Sequence, residues 1–225
     1  MATELMDTLI SCKNISKSYG NIRVLKDISL AISESKVVCV TGPSGAGKST
    51  LLHILGTLDK PDSGKVLYQG KDILHQDDKS IAKFRNQNIG FVFQFHNLLA
   101  EFTAFENVCI PGFIGKVASA KVEERARYLL DILGLSDRLG HRPAELSGGE
   151  QQRVAVARAL INSPKVVLAD EPSGNLDTAR ADELHQIFFN LKDELGQTFV
   201  IVTHNERLAS KADEVFQMKD GQIIL

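Results

Sequence analysis

Residues 42–50, Gly42-Pro43-Ser44-Gly45-Ala46-Gly47-Lys48-Ser49-Thr50, constrain this chain more than any other stretch. They fit G-x-x-x-x-G-K-[ST], follow the apolar run Val37 to Val40, and lead into Leu51, Leu52 and Leu55 at helical spacing. A strand thus feeds a helix through a loop whose glycines let backbone N–H groups turn inward around phosphate oxygens. The helix N-terminus adds its positive end and Lys48 a full charge. Ser49 is the candidate Mg²⁺ ligand. A loop that only joined strand to helix would need neither Lys nor Ser at these offsets, so all nine residues are assigned to a bound nucleotide. The reaction stays open at this point, because kinases, GTPases and transport ATPases share the loop.

A strand–loop–helix unit of this kind belongs in an α/β fold, and the rest of the sequence alternates accordingly. Leu9 to Asn14, Ile22 to Leu30, Lys36 to Val40, Val66 to Tyr68 and Lys71 to Ile73 read as short strands, with Pro61-Asp62-Ser63-Gly64 as a turn. Lys121 to Leu133 has one apolar face and ends at Gly134; a second helix follows Ser147. Val166 to Ala169 and Thr198 to Val202 are unbroken apolar runs, as in strands buried on both faces. Leu184, Ile187, Phe188, Leu191 and Leu195 repeat at helical spacing between them, completing a βαβ unit that ends at Gly196. Glu214 to Met218 and Gln222 to Leu225 flank Asp220-Gly221, which predicts a terminal hairpin.

Composition narrows the classes further. With 225 residues, 43% of them hydrophobic, the chain has a globular composition, and such a length buries roughly 70–75% of its unfolded surface without covalent staples. A formal net charge of −2 argues against a nucleic-acid partner held by phosphate neutralisation. Cys12, Cys39 and Cys109 are odd in number and widely spaced, a pattern of neither a disulfide framework nor a zinc ribbon. The first 30 residues lack a signal-peptide pattern and no run of 18 apolar residues occurs, so direct membrane insertion is not expected.

Val166-Val167-Leu168-Ala169-Asp170-Glu171 is an apolar strand ending in two acids. Side chains alternate along a strand, so the two carboxylates diverge, yet at the C-terminal end of a parallel strand both can face a ligand crevice. Asp170 is assigned to Mg²⁺ through a water, and Glu171 to the general base acting on an attacking water. Alone, Asp-Glu-Pro would equally serve as a polar strand exit; the phosphate loop decides between the two. His204 follows the apolar run Phe199 to Thr203 and precedes Asn205, a candidate N-cap, so it stands at another strand end. By itself a histidine there reads as structural.

Leu146-Ser147-Gly148-Gly149-Glu150-Gln151-Gln152-Arg153 contains a capping box, Ser147 with Glu150 three residues on, opening a helix with Val154, Ala157 and Ile161 at core spacing. Capping gives no reason for two glycines in a first turn, each costing roughly 1 kcal/mol against Ala. Close approach to an anion does: bare N–H groups, the Ser147 hydroxyl and the helix end would cradle a second phosphate.

With both stretches in one chain, the sequence resembles the ATP-binding-cassette (ABC) ATPases, whose LSGGQ signature stands here as Leu146-Ser147-Gly148-Gly149-Glu150. The resemblance spans nearly the whole chain. It implies an α/β P-loop NTPase with a RecA-like core, an N-terminal antiparallel β subdomain and an inserted α-helical subdomain at about 95–162 of a single 1–225 domain. In that family the signature of one protomer closes over the γ-phosphate held by the loop of the other, so the resemblance implies ATP, Mg²⁺ and an ATP-bound homodimer. It also implies that Tyr19 stacks on adenine, that Gln94 links Mg²⁺ and the γ-phosphate to the transporter, that Asp177 lies at the dimer seam and that His204 contacts the γ-phosphate.

Gly90 to Val108 and Glu171-Pro172-Ser173-Gly174-Asn175-Leu176-Asp177 are similar to the group of cassettes serving lipoprotein-releasing, macrolide-efflux and cell-division systems, the first stretch most closely to the lipoprotein-releasing transporters. Ser173 and Ala46 stand where Thr and Ser are commoner in that group. The implied role is an ATPase subunit on the cytoplasmic face of the bacterial inner membrane. It would dock on two membrane-spanning subunits and power lipoprotein release for outer-membrane delivery. Regulation of a cell-division complex and macrolide-type efflux are the alternatives. Five of the eleven phenylalanines fall between Phe91 and Phe105. Phe91, Phe93 and Phe95 are read as strand and core residues, Phe102 and Phe105 as candidates for a groove that receives a membrane subunit's helix.

Overall fold

Alternating burial in the first part of the chain and unbroken burial later on produce two different sheets. The computed structural model describes residues 8–224; Leu225, expected at the end of the terminal hairpin, lies outside them. The chain opens with strands β1 (Thr8–Tyr19), β2 (Ile22–Ser33) and β3 (Val37–Thr41), helix α1 (Lys48–Leu55), and strands β4 (Ser63–Tyr68) and β5 (Lys71–Asp72). An antiparallel sheet has the order β2-β1-β4-β5. β1 outruns its expected end at Asn14 by bulging: Asn14 takes φ 54°, and the register against β4 shifts between Lys13 and Ser16. Ser63 and Gly64, read as part of a turn, instead open β4. Gly64 sits at φ 93°, and a Cβ there would lie 2.5 Å from the Asn14 carbonyl oxygen, so the glycine serves the bulge.

There follow α2 (Asp78–Asn88), β6 (Ile89–Phe93), α3 (Ala104–Ile114), α4 (Ser119–Ile132), α5 (Gly148–Leu160), β7 (Val166–Asp170), α6 (Thr178–Leu195), β8 (Thr198–Val202), α7 (Glu206–Ala209), β9 (Glu214–Lys219) and β10 (Gln222–Ile223). The second sheet has the order β10-β9-β3-β8-β7-β6. Only β10 runs antiparallel to its neighbour. Its central strands divide their side chains between two cores. Val37, Cys39, Val167, Ala169, Phe199 and Ile201 join the core of helices α3 to α6. Val38, Val40, Val166, Leu168, Val200 and Val202 join the core of α1 and the antiparallel sheet. Both faces are covered, which is why these strands read as continuous apolar runs.

Helices α2 and α3 escape the apolar-periodicity rule. α2 buries Ile81 alone and is started by Asp77, whose carboxylate accepts from the Lys79 and Ser80 N–H groups. α3 carries Pro111 and is opened by a complete capping box between Thr103 and Glu106. Its buried Asn107 accepts from the Leu99 N–H and donates to the carbonyls of Leu99, Phe102 and Thr103, tying down the preceding loop. Phe91 and Phe93 stack in β6 with ring centroids 5.8 Å apart. Phe95 does not join the core: it is 70% exposed. No described helix is long and apolar enough to cross a membrane.

Candidate active site

Strand register assembles the site. Phe93, Asp170, Val202 and Val40 are lateral partners across β6, β7, β8 and β3, so Gln94, Glu171, His204 and Gly42 emerge within two residues of one row. This is the C-terminal edge of a parallel sheet, where open α/β sheets hold their ligands.

The loop after β3 is shaped by glycine. Gly42 takes φ 143° with the Met218 carbonyl filling the place of a Cβ, and Gly47 caps α1 at φ 97°. No side chain caps α1, leaving its first N–H groups to a ligand. Lys48, 9% exposed, donates to the carbonyls of Gly42 at 2.8 Å and Pro43 at 3.1 Å, which holds its charge against the loop. The Ser49 hydroxyl donates to Asp170 Oδ1 at 3.0 Å. Burial pushes the Asp170 carboxyl up, opposed by that hydrogen bond. Two adjacent hard oxygen donors beside a phosphate-shaped loop suit Mg²⁺, which takes few protein ligands and shares the rest with phosphate and water.

Glu171 does more than alternate with Asp170. Its backbone is left-handed at φ 46°, a conformation costing of order 1–3 kcal/mol outside glycine, and is held there by its N–H donating to the Val202 carbonyl at 2.9 Å. Its Oε2 lies 3.0 Å from His204 Nδ1 and accepts from the His204 N–H at 3.4 Å. Asn205 caps α7, accepting from Leu208. Gln94 Nε2 donates to Asn175 Oδ1 at 3.0 Å, and Asn175 Nδ2 donates back to the Gln94 carbonyl at 3.2 Å. Buried His185 reaches the Ser173 hydroxyl at 3.0 Å. Sequence reasoning missed Asn175 and His185 as partners of the site, and no spacing signal marks them.

Tyr19 is 49% exposed at the end of β1, its hydroxyl donating to Asp59. Ser147 caps α5 in a complete capping box with Glu150. Backbone hydrogen bonding from Ser147, together with the Arg138 guanidinium at 2.8 Å, holds the Glu150 carboxyl down at about 2. A Cβ on Gly148 or Gly149 would meet only Leu176 at 3.7 Å or Arg180 at 3.5 Å, ordinary contacts. Nothing among the described residues therefore demands glycine at either position. Asp177 caps α6 by accepting from the Arg180 N–H. Among the described residues no hydrogen bond or ion pair joins Ser147–Glu150 to the phosphate loop of the same chain.

The apolar groove differs from expectation. A cavity of about 460 Å³ is lined by Phe91, Phe93, Pro111 and Ile114, not by Phe102 or Phe105. Phe105 packs against the helical core with the Arg127 guanidinium 4.7 Å from its ring centre, and Phe102 stands 41% exposed.

Fold and site together define a phosphate-loop ATPase. Residues 25–174 match the ABC transporter family, and the chain belongs to it. The lipoprotein-releasing system ATP-binding protein LolD of Bacteroides thetaiotaomicron is 58% identical, over 96% of this chain and 99% of that protein. The protein of the same name from Cytophaga hutchinsonii is 57% identical, over 97% and 100%. Among solved structures, an ATP-binding cassette captured as a dimer in a post-hydrolysis state with ADP and Pi matches with a TM-score of 0.87 at 39% identity, over 96% and 97% of the two chains. A dimeric bacterial ABC transporter cassette matches with a TM-score of 0.88 at 40% identity, over the same shares.

Proposed function

We propose that this chain is the ATP-hydrolysing subunit of a transporter that releases lipoproteins from the bacterial inner membrane for outer-membrane delivery. The 58% identity over 99% of a lipoprotein-releasing relative carries this conclusion. ATP is the substrate, its phosphates cradled by residues 42–50 and its adenine stacked on Tyr19. Ser49, Gln94 and, through a water, Asp170 would hold Mg²⁺, which when bound neutralises charge on the phosphates. Glu171 takes the proton of the attacking water. His204 Nδ1 restrains that carboxylate and leaves Nε2 for the γ-phosphate. In the ATP-bound homodimer, Ser147 to Glu150 cover the partner's phosphate loop, with Asp177 at the seam.

The helices within about 95–162 act as the inserted helical subdomain. Two membrane-spanning subunits dock on the homodimer, one in each copy's groove between Phe93 and Ile114, one residue from Gln94, and hold the cassettes peripherally at the cytoplasmic face. Mass spectrometry of what co-purifies with Glu171→Gln from gently solubilised membranes with ATP tests the assignment. Membrane subunits together with lipidated proteins are expected; a division-site complex, or no membrane protein at all, overturns it.

A further inference from the structure

Beside the apolar groove lies a second cavity of about 340 Å³, between the end of α2, the α3–α4 turn and the end of α5. Its wall carries Lys121 and Arg125, one turn apart on α4 and so on the same face, and no carboxylate. Neither cation has an ion pair or hydrogen bond among the described residues, and Arg125 Nε is buried without an acceptor. Three other guanidinium groups show the contrast: Arg138 is engaged with Glu150, Arg158 with the carbonyls of His96 and Asn97, and Arg85 with that of Thr57. Arg125 is half-buried, so part of its guanidinium meets solvent, but its buried Nε lacks an acceptor at a cost of roughly 1–3 kcal/mol, and two unpaired cations with no carboxylate among the lining residues suit an anion. Its other wall is rigid, Asn86 and Asn162 both donating to the Pro111 carbonyl.

The two cavities share Asn86, Ile161 and Asn162, so a helix seated in the groove continues over the cations. We propose that Lys121 and Arg125 receive an acidic side chain of the membrane subunit's docking segment, whose apolar face fills the groove; this rests on the transporter assignment above. A planar guanidinium matches a carboxylate with two parallel hydrogen bonds. Exposed Glu123 and Glu124 on the same helix disfavour the other source of anions, an acidic lipid surface.

Recovery of the cassette with its membrane subunits in detergent tests the pocket. Arg125→Glu is expected to lower recovery about tenfold, the loss of reversing one partner of a part-buried ion pair, and Lys121→Glu less. Arg125→Lys falls between, and the isolated cassette keeps its ATPase activity in all three. If Arg125→Glu loses that activity through misfolding, exposed Lys121→Glu carries the test. Ile114→Asp, in the groove, separates the two ideas. Loss of the complex with Ile114→Asp but full recovery with Arg125→Glu and Lys121→Glu overturns the anion pocket and leaves docking intact; full recovery with all overturns docking as well. Sedimentation of the isolated cassette with phosphatidylglycerol but not phosphatidylcholine vesicles, abolished by Arg125→Glu, would make it a lipid site and overturn the proposal.

Discussion

Adjacent carboxylates at the end of β7 carry different burdens. Burial raises the Asp170 carboxyl above its ordinary value, so the folded chain binds more protons than the unfolded one just above pH 3.8, and stability falls as pH rises through that window. Above it the penalty stands in full. Ligand-free Asp170→Asn is therefore expected to melt higher than wild type at pH 7, with the gap closing as the pH is lowered towards 4, while affinity for Mg-ATP drops. A lower melting temperature at pH 7 would mean that the Ser49 hydrogen bond outweighs burial. Glu171 is the proposed bearer of the chemistry instead. Glu171→Gln should keep ATP binding and slow single-turnover hydrolysis by about 10²–10⁴-fold, the usual contribution of a positioned base; unchanged turnover would remove it from that role. Sequence placed both acids and His204 at strand ends, because each follows a legible apolar run. It did not place His204 against Glu171, nor Asn175 against Gln94, since those contacts depend on which strand lies beside which and on a left-handed residue no pattern announces.

Among the elements, α5 joins a structural start to a proposed functional one. The Glu150 carboxyl is depressed to about 2, so its contribution is present above the ordinary 4.5 and is lost as pH falls towards 2. Glu150→Gln keeps the acceptor of the capping box and gives up the charge on Arg138. Its melting deficit against wild type should therefore be visible at pH 6 and shrink below 4.5; a deficit independent of pH would assign the loss to packing. Gly149→Ala separates stability from function more sharply. An alanine there gains up to about 1 kcal/mol of helix propensity and meets nothing closer than Arg180 at 3.5 Å, so the fold should hold or strengthen while ATP turnover collapses. A stable variant with full turnover would leave those glycines without a purpose. The Ser147 box was legible because an apolar helix follows it. The equivalent Thr103–Glu106 box went unread because α3 holds Pro111 and presents no clean apolar stripe, and α2 went unread because one buried isoleucine is too little periodicity.

At the scale of the whole molecule, a βαβ reading makes β7 and β8 neighbours, but nothing local says that β3 lies beside β8, and this adjacency brings the phosphate loop to the carboxylates. A division of labour between chains was likewise not legible from spacing, and entered only through the resemblance to the ABC ATPases. Among the described residues, the phosphate loop and the glycine-rich helix start of one cassette do not bond to each other, and a Cβ on either glycine of that start would meet only ordinary contacts. Two copies arranged head to tail would complete two sites, and ATP then drives closure only to the extent that it binds the closed dimer more tightly than the open chains. Carrying the population from about 1% to about 99% closed takes a preference of about 10⁴-fold, which two composite sites meet with about 10²-fold each. Glu171→Gln with Mg-ATP is accordingly expected to pass from monomer to dimer in light scattering at a fixed protein concentration. ADP should leave it monomeric, and adding Gly149→Ala should prevent the shift by blocking both sites at once. A Glu171→Gln chain that stays monomeric at saturating Mg-ATP would place the second half of the site on some other protein.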